Sequence, residues 1–122
     1  MSTRSRITQA LPNGTFKSIY CHFDGYLSGV GKILLEDYNT EEKLAALLDL
    51  GDISSIDPRF AKVEAYGRDR GEKGTEALIV PDMSQIDRQS YNYLFTPEGE
   101  WMYMKAGERD WKIFTLEDCK ED

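Results

Sequence analysis

The chain has 122 residues, 40% of them hydrophobic and 11% aromatic, the composition of one globular domain that buries roughly two-thirds of the surface its unfolded form exposes. Twenty-two acids against 15 bases give a net charge of −7, which opposes nonspecific attraction to nucleic acid and anionic lipid and favours a basic partner. No run approaches the roughly 20 apolar residues that span a bilayer, the N-terminus lacks an apolar signal core, and Cys21 and Cys119 have no CxxC spacing, so a cytoplasmic protein with free thiols is expected, without membrane or zinc.

Residues 1–14 are polar and end in the turn signal Pro12-Asn13-Gly14, which predicts a flexible N-terminal arm before a single domain over 15–122. In KSIYCHFD, Ile19, Cys21 and Phe23 alternate with Tyr20, His22 and Asp24. That period of two predicts a strand with the first set in the core and the second facing out. After Gly25 and Gly29, Val30, Ile33, Leu34 and Tyr38 follow helical spacing.

A second helix is signalled by Thr40 as N-cap, Glu41 and Glu42 in the first turn, a Leu44, Leu47 and Leu48 stripe, and Gly51 as the stop. Ile53 to Pro58 reads as a connection. Val63 and Ala65 then alternate with Glu64, Tyr66 and Arg68, a strand pattern that ends in the charged turn RDRGEKG. EALIVPDM reads as a strand stopped by Pro81, and MSQIDRQS as a loop or short helix.

YNYLF, EWMYMKAG and DWKIFTL are aromatic β-prone runs separated by glycine-bearing turns, which predicts a three-stranded antiparallel meander before a fraying EDCKED tail. Tyr91, Tyr93, Phe95, Trp101, Tyr103 and Trp111 recur at period two and suit core packing under the helices. Base stacking is disfavoured because no basic stripe accompanies them. The expected fold is α+β, a mainly antiparallel sheet with two helices packed on one face, with an edge of the meander left for a homodimer contact.

The stretch YCHFDGYLSGVGK places a thiol, the only imidazole, an acid, glycines and a lysine together. A Walker A loop requires GxxxxGK followed by Ser or Thr; here Gly25 lies six residues before Gly31 and Ile33 occupies the hydroxyl position. A looser anion contact at Lys32, near a helix start, stays open. Adjacent residues on a strand point to opposite faces, which separates the Cys21 thiol from the His22 imidazole. With one histidine, metal binding has no recognisable ligand spacing.

The outward residues Tyr20, His22 and Asp24, with Tyr66, Arg68 and Arg70, form one candidate recognition patch if their strands are neighbours. Their polar tips suit binding, and guanidinium groups suit carboxylate or phosphate. The competing reading is a surface salt-bridge cluster capping a hairpin.

Together, SIYCHFDGYLSGVGKILLEDYN, LLDLGDISSI and VEAYGRDRGE resemble a family of small uncharacterised proteins of bacteriophages, prophages and related mobile elements, with a YCHxDGY, GVGKxLLExY, LGDxS and RDRGE pattern. The resemblance covers roughly residues 18 to 72. Phe23 stands where tryptophan is usual and Gly67 where a histidine is expected, so any chemistry of that histidine is absent from this member. The resemblance implies a context and no activity: a non-enzymatic accessory protein in a host cytoplasm, without a cofactor, that binds and inhibits a host protein such as a defence component. The alternative is a small-molecule binder, for instance a sponge for a nucleotide signal, using Arg68, Arg70 and Lys32 with an aromatic.

Overall fold

The computed structural model describes residues 2–57 and 62–120. In chain order the elements are β1 (Ser5–Ala10), β2 (Phe16–Cys21), a π-helical turn (Leu27–Gly31) running into α1 (Lys32–Asp37), α2 (Glu41–Leu48), β3 (Ile53–Asp57), β4 (Lys62–Ala65) and α3 (Tyr66–Arg70). There follow β5 (Leu78–Val80), a 3-10 turn (Met83–Gln85), β6 (Tyr91–Phe95), β7 (Trp101–Lys105), β8 (Lys112–Ile113) and a last 3-10 turn (Asp118–Lys120). The fold is α+β, as the alternation of strand and helix patterns predicts.

The strands form one sheet in the order β4-β3-β2-β1-β6-β7-β8, with β5 added to β2. The β1–β6 and β2–β3 pairs are parallel and the others antiparallel. The predicted meander is β6, β7 and β8, its last strand only two residues long.

Residues 5 to 10 are the largest departure from the sequence reading. They are no flexible arm: β1 lies between β2 and β6 at the middle of the sheet, and Ser5 to Gln9 are buried. The Pro12-Asn13-Gly14 signal is instead the tight turn of the β1–β2 hairpin. Asn13 Oδ1 accepts from Thr15 N at 3.1 Å and Thr15 Oγ1 at 2.6 Å, and Gly14 takes φ +85°.

Period-two alternation makes one sheet face apolar. Ile7, Ile19, Cys21, Ile53, Tyr93 and Phe95 are each no more than 1% exposed, and they share a core with Leu34, Leu44, Leu47 and Leu48 of the two helices. Each such side chain contributes about 1.5–3 kcal/mol relative to exposure. Trp101 and Tyr103 join this core from β7, as their spacing predicts.

The second predicted helix forms as read. Thr40 Oγ1 accepts from Lys43 N at 3.3 Å, Glu41 and Glu42 occupy the first turn, and Gly51 at φ +78° passes so close to Thr75 that a Cβ would lie 2.2 Å from its carbonyl oxygen.

Two further segments depart from expectation. Ile53 to Asp57 is a strand and not a connection, disguised because a bulge between Ile53 and Ser55 places Ile53 and Ile56, three positions apart, both in the core. Pro58 lies outside the described residues. The fourth strand stops at Ala65, where the Asp69 carboxylate accepts Ala65 N at 2.7 Å and turns the chain into α3, closed by Gly71 at φ +67°. At the C-terminus Cys119 packs into the core, so Asp118–Lys120 is a docked turn; residues 121 and 122 lie outside the described residues.

Candidate functional site

The apolar face of the sheet is covered by helices, and the other face is polar. Arg6 of β1 stands opposite Tyr20 of β2 and Asn92 of β6, and Thr8 Oγ1 donates to Ser18 Oγ at 2.9 Å beside them. Asn92 anchors the end of the β5–β6 crossover: its Nδ2 donates to Gln89 O and Met104 O, both at 3.0 Å, while its Oδ1 accepts Gln89 N at 3.0 Å. Crossover and sheet enclose a cavity of about 280 Å³ lined by Arg6, Thr8, Met83, Met104 and Trp111 among others. Trp111 therefore belongs to this side of the sheet, separate from the core aromatics whose period it continues.

The expected outward residues of the first predicted strand form an aromatic ridge. Tyr20 Oη and His22 Nδ1 are 2.7 Å apart, and the His22 ring meets Phe23 edge to face with centroids 4.6 Å apart. Phe23 is 43% exposed, which corrects its placement in the core. The backbone ladder to β3 continues through His22 N to Ile53 O and Phe23 N to Ser54 O, but the regular strand ends at Cys21 and the chain turns at Asp24, whose φ is +58°. Alternation therefore no longer sets the side of Phe23.

Asp24 is exposed at the end of this ridge. Its carbonyl accepts Val30 N at 2.8 Å and its carboxylate accepts the Tyr26 hydroxyl at 3.4 Å, so its main service is to shape the glycine-rich corner. A Cβ on Gly29 would sit 2.3 Å from the Asp24 carbonyl oxygen, which explains the glycine.

Tyr66 approaches Tyr20 through Asp52. The Asp52 carboxylate accepts Tyr20 N at 2.9 Å and its carbonyl accepts Tyr66 N at 3.2 Å. Burial holds the Tyr20 phenol above its ordinary pKa, with Tyr66 adding in the same direction against Arg4 and Arg6. Burial likewise raises Asp52, opposed by the Tyr20 amide and by Arg6.

The strands carrying the proposed patch are not neighbours, because β3 lies between β2 and β4. Tyr20 and His22 nonetheless pair, and Tyr66 is tied to Tyr20 through Asp52, whereas the two arginines are occupied. Arg68 donates Nε and Nη2 to the Asp69 carboxylate at 3.0 and 2.9 Å and Nη2 also to Val63 O at 2.6 Å. Arg70 donates Nε and Nη2 to Glu64 Oε1 at 2.8 and 2.6 Å and lies 5.0 Å over the Tyr66 ring. Lys32 is exposed at the start of α1, in the helical layer on the opposite side of the sheet from Tyr20.

The Cys21 thiol is fully buried, donates to Phe23 O at 3.5 Å, and is pushed up to about 12 by desolvation. At neutral pH it is a core thiol and no nucleophile. Neither Cys21 nor Cys119 is in a disulfide. Among the described residues no group of three or more His, Cys, Asp or Glu is placed to hold a metal ion, and no helix is long and apolar enough to cross a membrane.

The residue that sequence reasoning passed over is Arg6. It is 9% exposed, and its Nε and Nη1 have no hydrogen-bond partner. Burial lowers its pKa, with Asp52 and then Asp87 acting in the opposite direction.

No family model matches the chain, and neither the curated proteins nor the solved structures yield a match.

Proposed function

We propose that the chain is a non-enzymatic accessory protein of phage or mobile-element type that binds and inhibits a host protein, such as a component of a defence system, in the host cytoplasm. The observation that carries this reading is the Tyr20, His22 and Phe23 ridge, on which a large apolar ring is held 43% exposed against an imidazole. Aromatic side chains of this kind, fixed by neighbours before binding, are the usual anchors of protein interfaces. Tyr66 with Arg70 over its ring extends the same chemistry, and the net charge of −7 favours a basic partner.

The competing small-molecule reading assigned Arg68, Arg70 and Lys32 to one pocket. Arg68 and Arg70 hold carboxylates of this chain, which leaves Lys32 as the one cation of that reading not engaged by them.

Affinity capture from host cells with the wild type and with Phe23→Asp tests the proposal. One host protein is expected with the wild type and lost with Phe23→Asp, whose melting temperature stays that of the wild type because the ring is at the surface. Equal capture by both proteins, or capture of nothing, refutes the role of the ridge.

A further inference from the structure

The cavity between the β5–β6 crossover and the polar sheet face has a feature that folding alone does not account for. Arg6 is 9% exposed, lines the cavity, and leaves Nε and Nη1 without partners. A guanidinium stays charged at any physiological pH, and an unpaired buried charge is among the most costly groups a fold can hold. Asp52 and Asp87 act on Arg6 only as charges at a distance; among the described residues no ion pair involves it.

We propose that this cavity binds a small organic monoanion, a carboxylate with an apolar body, with the carboxylate meeting Arg6. The charges favour one negative charge over two: the lining holds Arg6, Arg88 and Asp82, two cations against one anion, and Asp52 and Asp87 act on Arg6 from outside the lining. A phosphate dianion would leave an excess. The body of the ligand faces Met83, Ile86, Met104 and Trp111, while Thr8 of the sheet and Ser84 of the crossover supply polar contacts. A volume of about 280 Å³ lies at the small end of ligand pockets, which start near 300 Å³. Arg88, whose Nη1 reaches Glu108 O at 3.4 Å, has hydrogen-bonding capacity left for the rim. Arg6 stands opposite Tyr20 of the aromatic ridge, but Tyr20, His22 and Phe23 do not line this cavity, and the proposal stands whether or not a protein docks on the ridge.

Amide and indole NMR spectra of the full chain, titrated with acetate, isovalerate, benzoate and inorganic phosphate, test the assignment. Isovalerate or benzoate is expected to shift the Trp111 indole and the Thr8 and Asn92 amides saturably, while the Trp101 indole, bonded to Tyr38 O in the core at 3.1 Å, stays still. Arg6→Met is expected to weaken that binding at least about tenfold, the worth of a charge-assisted hydrogen bond, with the Trp101 signal preserved as proof of folding. Trp111→Leu, at a half-buried wall position, is expected to weaken benzoate more than acetate, read on the two amides. Absence of saturable shifts with every carboxylate, equal or tighter binding of phosphate, or full binding by folded Arg6→Met would each overturn the proposal.

Discussion

Replacing Arg6 by methionine is expected to stabilise the protein. Arg6 is 9% exposed and its buried Nε and Nη1 are unpartnered, and an unsatisfied buried polar group costs about 1–3 kcal/mol. Against the gain stands the lost attraction to Asp52 and Asp87, neither of which forms an ion pair with it, and even a fully paired buried ion pair is often replaced by apolar residues with no loss or a gain of about 1–4 kcal/mol. The expected net is about 2 kcal/mol. With roughly 2.1 cal/mol/K of unfolding entropy per residue, that corresponds to about 8 °C in Tm for a chain of this size. Urea unfolding in the absence of any carboxylate measures it, with an unchanged m-value required for the comparison. Arg6→Lys, which keeps a charge in the same place, should not share the gain. If Arg6→Met were less stable than wild type by more than about 1 kcal/mol, Arg6 would be a structural cation satisfied within the fold, and the argument for its exposed need would collapse.

Other expectations follow from the core and from α3. Tyr93→Phe removes the hydroxyl that donates to Gly25 O at 2.7 Å in the core and leaves that carbonyl buried; a loss of about 1–3 kcal/mol, with faster amide exchange in residues 25 to 31, is expected, and an unchanged unfolding midpoint would contradict it. Asp69 is held at about 2 by Arg68 and by the Ala65 amide, below its ordinary value near 4. Its contribution is therefore complete above that ordinary value and fades as pH falls towards 2, while the Ala65 amide shift of the folded protein should titrate at about 2 and cease to do so in Asp69→Asn. Cys21, pushed up to about 12, should resist alkylation at neutral pH in the folded state and react only on unfolding; rapid labelling of native protein would show that the thiol is accessible.

Much of this fold is legible because its signals are local. Thr40, the two glutamates after it and the leucine stripe specify α2 without reference to anything else in the chain, and the alternating aromatics of β6 and β7 announce an inner face. The misread segments are those where a long-range or irregular feature overrides the pattern. Ile53 and Ile56 reach the same core only through a bulge, and Phe23 escapes the core because the backbone turns at Asp24. Strand order cannot be read from local periodicity either, so a patch that assumed β2 beside β4 met β3 between them.

The same limit explains why Arg6 was invisible. In SRITQA only Ile7 is strongly apolar, so the segment lacks the hydrophobic signature expected of a central strand. Its polarity is divided between the two faces: Ser5 and Gln9 share the core face with Ile7, Ser5 opposite Cys21 and Gln9 opposite Phe95, while Arg6 and Thr8 line the cavity under the crossover and Thr8 finds Ser18 as a partner. A central strand can be polar on one face only if what covers that face supplies hydrogen bonds. Gln89 of the crossover does so for Asn92 of β6, and the crossover leaves a space at Arg6 where it does not. Polar strand, anchored crossover and unpaired cation are thus one feature of the fold, and the place where packing is least complete is where a ligand has most to contribute.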